Sequence, residues 1–439
     1  GMKLRPFELG LVIVFAGLAI GALILLTSYK GDGDDPDGPV DVGTVEIWGT
    51  LPAEGINALL GELTSDIEEY RYVSYTHFTP EAFDQKLLTA LADGVGPDLI
   101  LVSHEKLAEM RGRIQPIPYE GEGLIFPLRD IRDQYLEGAQ IFALSDGLYG
   151  YPIAVDPLMM YWNRDILATE GFLTQPQTWE NLVNTVLPRL VKRDFDRTIE
   201  RSVVAMGEYQ NIRNAFGIIS MLLIQGGTSG VVEDGGRYSI QLQNSPGSLV
   251  NPLEQTVDFY TRFSKPNNSW YSWNRSFGED RQQFVAEDLV LYFGYGSEAP
   301  VIGRINPNLN FDIAEVPQGE AATVRRTYGK FYALSLLKST DNLSGAYQVW
   351  QHLGQPDLSA RIALASNMVP AYRSLVAAGS NDTYGRVTYQ SASIAYGWLN
   401  PDLDQADKIL ETMVEDVNEN RYSFSSAASD ASARLQQAF

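Results

Sequence analysis

Between residues 45 and 103 the chain alternates short apolar segments with helix-patterned ones, and this limits the possible folds more than any other feature. Val45–Trp48 is β-branched and aromatic, as a first buried strand would be. Around Ile56–Tyr70, Leu59, Leu60, Leu63 and Ile67 recur at helical spacings of three and four. Arg71–His77 alternates as a second strand. Glu81–Ala92 carries Phe83, Leu87, Leu88 and Leu91 on one helical stripe and stops at Asp93-Gly94. Asp98–Ser103 is then a short, wholly apolar strand. Strand, helix, strand, helix, strand predicts right-handed crossovers and a parallel sheet with both faces covered, the α/β class.

The remainder extends this pattern. Thr178–Leu190, Asn211–Ile224 and Asn251–Phe263 read as helices, and Ala286–Phe293, Phe311–Val316 and Tyr332–Leu337 as strands. Ser344–Leu353, Leu358–Ala365 and Asp404–Val417 are the clearest helices of the C-terminal third. No internal repeat is visible at solenoid periods. At 439 residues the chain is too long for one ordinary domain, so two are expected.

The N-terminus predicts a membrane segment. Leu9–Leu26 is an unbroken run of apolar residues and glycine, long enough as a helix to span roughly 27 Å, close to a bilayer's hydrocarbon thickness. Lys3 and Arg5 precede it and Asp32, Asp34, Asp35 and Asp37 follow. That charge bias keeps the N-terminus cytoplasmic and exports the rest. The exit Thr27-Ser28-Tyr29-Lys30 lacks the A-x-A-like site of a cleaved signal peptide, so a retained single-pass anchor is expected in the cell membrane. Lys30–Gly43, rich in Gly, Asp and Pro, reads as a solvated tether.

Composition excludes several function classes. The net charge of -22 opposes nucleic acid as the main partner, because phosphate backbones need basic surface. With no cysteine there is no disulfide, thiol nucleophile or thiolate metal site. The three histidines, His77, His104 and His352, are scattered, and Glu105 after His104 is not followed by the second histidine of an H-E-x-x-H pattern. No G-x-x-x-x-G-K-[ST] loop and no G-x-S-x-G elbow occurs. No metal, cofactor or catalytic residue is therefore expected. A hydrolase using two carboxylates stays open as an alternative, since any chain with 55 acids could supply a pair.

Four segments, in order, carry a resemblance: ALADGVGPDLILVSHEKL (Ala90–Leu107); GLYGYPIAVDPLMMYWNRDIL (Gly147–Leu167) with TWENL (Thr178–Leu182); FVAEDLVLYFGYG (Phe284–Gly296); and GKFYALSLLKST (Gly329–Thr340) with NMVPAYRSL (Asn367–Leu375). From about Val45 to Val417 the chain resembles the family 1 extracellular solute-binding proteins, the maltodextrin-binding type. The resemblance implies a two-lobed clamp of the periplasmic-binding-protein type II, with several hinge crossings and a solute in the cleft. Lobe I would hold residues 44–153 with about 318–375, and lobe II residues 154–317 with about 376–439. Crossings are expected near Tyr151–Pro157, Val316–Tyr332 and Pro370–Leu375.

The family's cleft positions fall on Glu105 and Lys106 past the third strand, and on Asp156 within the first crossing, where a cap or turn before Pro157 is an equal reading. Val102 stands where members carry a stacking tryptophan. Glu208, Tyr209 and Asn211 fall on a second-lobe loop, Asn211 being equally suited to cap the next helix. Tyr295, Ser297 and Glu298 follow a strand, and Tyr396 and Trp398 lie near the C-terminus. Trp162, Trp179 and Trp350 read as packing, and Trp270-Tyr271-x-Trp273 as a cleft rim or lid. The implied role is solute capture for an ABC importer whose permease and ATPase are separate chains, the protein acting as a monomer. A sugar is the expected solute and a polyamine the alternative. A ligand sensor would need the same cleft.

Overall fold

The fold is described from a computed structural model, over residues 42–439. Val45–Gly49 lies between Val73–His77 and Leu99–Ser103, parallel to both, and helices Ala53–Asp66 and Pro80–Ala92 make the crossovers. The second crossover starts where the sequence dictates. Pro80 occupies the first helical turn, where no N–H is needed, and the Thr79 side chain accepts from Ala82 N–H. Leu99–Ser103 is buried at every residue, as expected of a central parallel strand.

The sheet then continues in an order that sequence does not announce. Thr327–Leu336 inserts antiparallel beside Leu99–Ser103, and its other edge pairs with Tyr151–Asn163. Tyr151–Asn163 is 13 residues long and buried throughout. Its first half, Tyr151–Pro157, bonds to Thr327–Leu336 in lobe I. Its second half, Leu158–Asn163, bonds to Leu289–Tyr295 and Phe311–Ala314 in lobe II. Ile199–Val204 extends lobe II parallel to Leu289–Tyr295. One curled sheet therefore runs through both lobes.

Two hydrophobic cores meet along that strand. Ile153, Ala154 and Val155 belong to the first, with Leu60, Phe83, Phe331 and Trp350. Leu158, Met159 and Met160 belong to the second, with Ile218, Tyr260, Trp273 and Leu410. Asp156 and Pro157 sit at the seam. On Thr327–Leu336 the same division falls between Tyr328 and Phe331. Val369–Pro370 adds a third strand segment on Ala154 and Val155. Trp350 locks the first core to the hinge: its ring stacks on Tyr151 at 4.0 Å and its Nε1–H donates to Leu334 O at 2.6 Å.

Away from the hinge strands a hairpin from lobe II, Val231–Asp234 with Arg237–Ile240, reaches lobe I. The Arg111 guanidinium bonds to Glu233 at 2.6 Å and to the Tyr238 hydroxyl at 3.1 Å on the hairpin, and to Asp146 at 2.9 Å on its own lobe.

Several expectations change. Among the described residues no helix is long and apolar enough to cross a membrane. The described clamp thus supplies no transmembrane helix, and the anchor, the single-pass placement in the cell membrane and the membrane as a partner, which it does not support, are withdrawn. The run that suggested them, Leu9–Leu26, lies outside the described residues, as does most of the expected tether. The tether's last two residues belong to the fold: Val42 is buried and its carbonyl accepts from Asn342 Nδ2 at 2.7 Å. Trp270-Tyr271-x-Trp273 is no lid, since Trp273 is fully buried and donates from Nε1 to Asn211 Oδ1 at 3.0 Å. Its polar neighbours suggested exposure, but the rings turn inward to fill lobe II. A further helix, Phe424–Gln437, was not read from the sequence, because its core stripe is alanine, Ala427, Ala428 and Ala431, rather than leucine.

Met160 tests the through-strand. It is fully buried where Leu289–Tyr295 and Phe311–Ala314 both pair with the strand. Met160→Ala should cost about 2–5 kcal/mol of unfolding free energy in urea titrations, with the slope unchanged, if both lobes unfold together.

Candidate functional site

The strand ends bring one group of side chains together. Leu99–Ser103 delivers His104 and Glu105 at its C-terminal end, and Leu289–Tyr295 delivers Tyr295 at its own, so strand ends from both lobes face each other across the seam. That is where α/β sheets leave room for ligands. Thr327–Leu336 contributes Tyr328, Lys330 and Tyr332, at alternate positions and so toward one face.

Glu105 is buried and doubly held. Its Oε2 accepts from the Tyr328 hydroxyl at 3.0 Å and its Oε1 from Ser103 Oγ at 3.2 Å. His104 stands behind this pair. Its Nδ1 accepts the Phe331 N–H at 3.2 Å, which places the ring proton on Nε2, 3.4 Å from the Tyr328 hydroxyl. The ring is wholly buried, and that desolvation lowers its pKa to about 4, outweighing the nearby Glu105 charge.

Asp156, 3% exposed, accepts from Ser297 N–H at 3.0 Å and Ser297 Oγ at 2.6 Å. Burial raises its pKa to about 6 against those two hydrogen bonds and the Lys330 charge. The Lys330 ammonium lies 4.5 Å from the Tyr295 ring centroid, over its face. A Cβ at Gly217 would overlap the Tyr295 hydroxyl, and one at Gly397 would overlap the His104 ring, so glycine is what admits both rings.

Of the residues expected from sequence, Glu105, Asp156, Tyr295 and Ser297 thus converge at the seam. Glu298 adjoins them as a fixture: its carboxylate accepts from Tyr292 Oη, Tyr295 N–H and Asn214 Nδ2 at 2.6, 2.6 and 3.0 Å, which shapes the turn carrying Ser297. Lys106 turns aside to pair with Asp84 at 2.6 Å. Tyr209 donates to Asp407 at 2.6 Å, and Glu208 lies 3.7 Å from Arg275. Asn211 ties the Trp273 loop by donating to the Asn274 and Phe277 carbonyls. Tyr396 and Trp398 lie elsewhere: Tyr396 donates to Glu137 at 2.8 Å, and Trp398 is buried against Phe216 and donates to Ser220. Val102, Trp162, Trp179 and Trp350 are core. Sequence reading missed His104, Tyr328 and Lys330. The period-two spacing of Tyr328, Lys330 and Tyr332 was the available signal.

No family model matches the chain. Proteins of Brucella abortus (strain 2308) and Brucella suis biovar 1 (strain 1330), provisionally named as binding proteins, are 23% identical over 300 residues. That alignment spans 65% of this chain and 65% of those relatives, just under two thirds of their length. Solved structures are similar over nearly the whole chain. A cyclo/maltodextrin-binding protein complexed with maltotetraose superposes with a TM-score of 0.69 at 15% identity, over 92% of this chain and 98% of that one. A cyclic alpha-maltosyl-1,6-maltose binding protein from Arthrobacter globiformis gives 0.70 at 14%, over 91% and 99%. An ABC transporter solute binding protein from Thermotoga lettingae, bound with alpha-D-tagatose, gives 0.64 at 18%, over 90% and 99%. The fold is the two-lobed α/β clamp of sugar-type solute-binding proteins. By description these are binding proteins.

Two of the buried titratable groups at the seam, His104 and Asp156, respond oppositely to pH. His104 has its folded pKa below its ordinary 6.5, so the unfolded chain protonates first and stability falls as pH drops from 6.5 toward about 4. Asp156 has its folded pKa above its ordinary 3.8, so stability rises as pH drops from about 6 toward 3.8. Relative to wild type, His104→Gln should gain at least about 1 kcal/mol on acidification across 6.5–4. Asp156→Asn should lose a similar amount across 6–4. Urea unfolding at stepped pH reads both, and parallel profiles for all three proteins would remove these assignments.

Proposed function

We propose that the protein is the solute receptor of an ABC importer, holding a small polyhydroxylated solute, a sugar or short oligosaccharide, at the seam between the lobes. The carrying observation is the cluster of Glu105, Asp156, Tyr295, Tyr328 and Lys330 where strand ends of both lobes meet. A sugar needs carboxylates to accept from hydroxyl pairs, cationic or hydroxyl donors, and a ring face for its C–H surface. The cluster holds all three. In this reading Glu105 and Asp156 exchange their internal partners, Tyr328 and Ser297, for solute hydroxyls, and Tyr295 supplies the platform. The lobes move about Tyr151–Asn163 and its neighbours, as hinge closure requires. Lobe I is assigned residues 44–153 and about 318–375, and lobe II most of the rest. Permease and ATPase subunits would be separate chains that receive the solute.

The resemblance to clamps described with maltotetraose and with alpha-D-tagatose supports the choice of solute class. Thermal unfolding against those two compounds, mannobiose and spermidine tests it. A solute at a hundred times its dissociation constant should stabilise by about 2.7 kcal/mol. Asp156→Asn and Tyr295→Ala should each weaken binding about tenfold or more, close to 1.4 kcal/mol. Asn251→Ala, which removes a distant helix cap, should lower stability by about 1 kcal/mol and leave affinity intact. A shift with spermidine alone would replace sugar by polyamine, and consumption of the compound would overturn a pure binding role.

A further inference from the structure

A cavity of about 790 Å³ opens between the lobes, and none of Glu105, Asp156, Tyr295 or Lys330 lines it. One wall is lobe I, with Leu128, Arg132 and Ile141. Another is lobe II, at Ile224 and the turn Gly227–Val231 that leads into the hairpin. The floor is hinge chain, Val324, Arg326 and Tyr396–Leu399. Its volume falls within the usual range of small-molecule sites, roughly 300–1,000 Å³.

Its charge is unusual for this chain. Two guanidinium-bearing residues, Arg132 and Arg326, line it, in a protein whose net charge is -22. Among the described residues neither forms a salt bridge. The Arg326 guanidinium lies over the Tyr396 ring, 4.6 Å from its centroid, and donates to the carbonyl of its neighbour Arg325. Glu233, the carboxylate in the lining, is already neutralised: it accepts from Arg111 at 2.6 Å and from Ser145 N–H and Oγ, each at 2.8 Å. Glu137, near Tyr396, accepts from that phenol's hydroxyl at 2.8 Å. The cavity thus offers unpaired positive charge beside apolar surface from Leu128, Ile141 and Ile224.

We infer that this cavity is a second binding site, for a small organic anion with an apolar body. The anionic head would meet Arg132 and Arg326, whose planar forks suit carboxylate or sulfonate oxygens, and the body would lie along the aliphatic wall. Because the walls belong to both lobes and to the hinge, an occupant touches every part whose relative position changes when the clamp moves.

The probe is 8-anilinonaphthalene-1-sulfonate, an aromatic body with one anionic head, followed by its fluorescence on titration into the 439-residue chain. Uncharged N-phenyl-1-naphthylamine serves as the comparison. We expect one saturable sulfonate site, weakened at least fivefold by Arg326→Gln and by Arg132→Gln, with the neutral probe unaffected. Ala143→Trp, which fills the lining, should abolish binding of both probes. Unfolding midpoints within a few degrees of wild type, and an unchanged response to the solute at the seam, would show that the variants fold. No saturable binding to wild type, or sulfonate binding that survives all three substitutions, overturns the site. Equal weakening of both probes by the arginine variants overturns the anion assignment. Each of these results is independent of whether a sugar binds at the seam.

Discussion

Backbone hydrogen bonding along a strand that never meets solvent governs how the two lobes can be joined. Tyr151–Asn163 is buried over its whole length, so each of its backbone groups needs a partner inside the protein. Lobe I supplies partners for the first half through Thr327–Leu336, and lobe II for the second through Leu289–Tyr295 and Phe311–Ala314. Neither lobe can leave the other without stranding those groups, which makes the sheet itself the hinge. Motion between the lobes must be a bend or twist of a continuous ladder rather than a swing on a free linker.

The same continuity explains where polar chemistry is concentrated. Each core is packed with aliphatic and aromatic side chains up to the seam, and the seam falls at Asp156–Pro157. A carboxylate buried there raises its own pKa and must be bonded, which Ser297 does from the neighbouring strand end. Glu105, buried at the end of Leu99–Ser103, is bonded likewise, by the Tyr328 hydroxyl from the second core's side of the seam. These internal bonds are also interchangeable ones. A solute with hydroxyls could take them over without leaving a charge bare, which is what the proposed solute site at the seam requires.

Off the seam, the lobes meet again through the Arg111 cluster on the Val231–Ile240 hairpin. The cavity lined by Arg132 and Arg326 opens beside this second bridge, whose Glu233 is part of its lining. The lobes thus meet at a tyrosine- and carboxylate-lined seam closed by its own hydrogen bonds and, apart from it, around an open cavity lined by two arginines.

What the sequence by itself determined was local. Periodicity placed Leu99–Ser103, Pro80–Ala92 and Leu403–Asn418 within a residue or two, because apolar spacing and caps such as Thr79 and Asp402 act over a few residues. Through the family resemblance a crossing was legible near Tyr151–Pro157, and of the cleft residues it implied, Glu105, Asp156, Tyr295 and Ser297 adjoin the seam while Lys106, Glu208, Tyr209, Asn211, Tyr396 and Trp398 have partners elsewhere. Tertiary structure decided the rest. It inserted Thr327–Leu336 antiparallel between strands far away in the chain, and so brought Tyr328 and Lys330 to residues more than 150 positions earlier. It turned Lys106 to Asp84, and Asn211 and Glu298 to structural bonds. It also drew Trp273 inward despite polar neighbours. Strand order and side-chain partners depend on which distant surfaces bury each other, and no local pattern of residues carries that information.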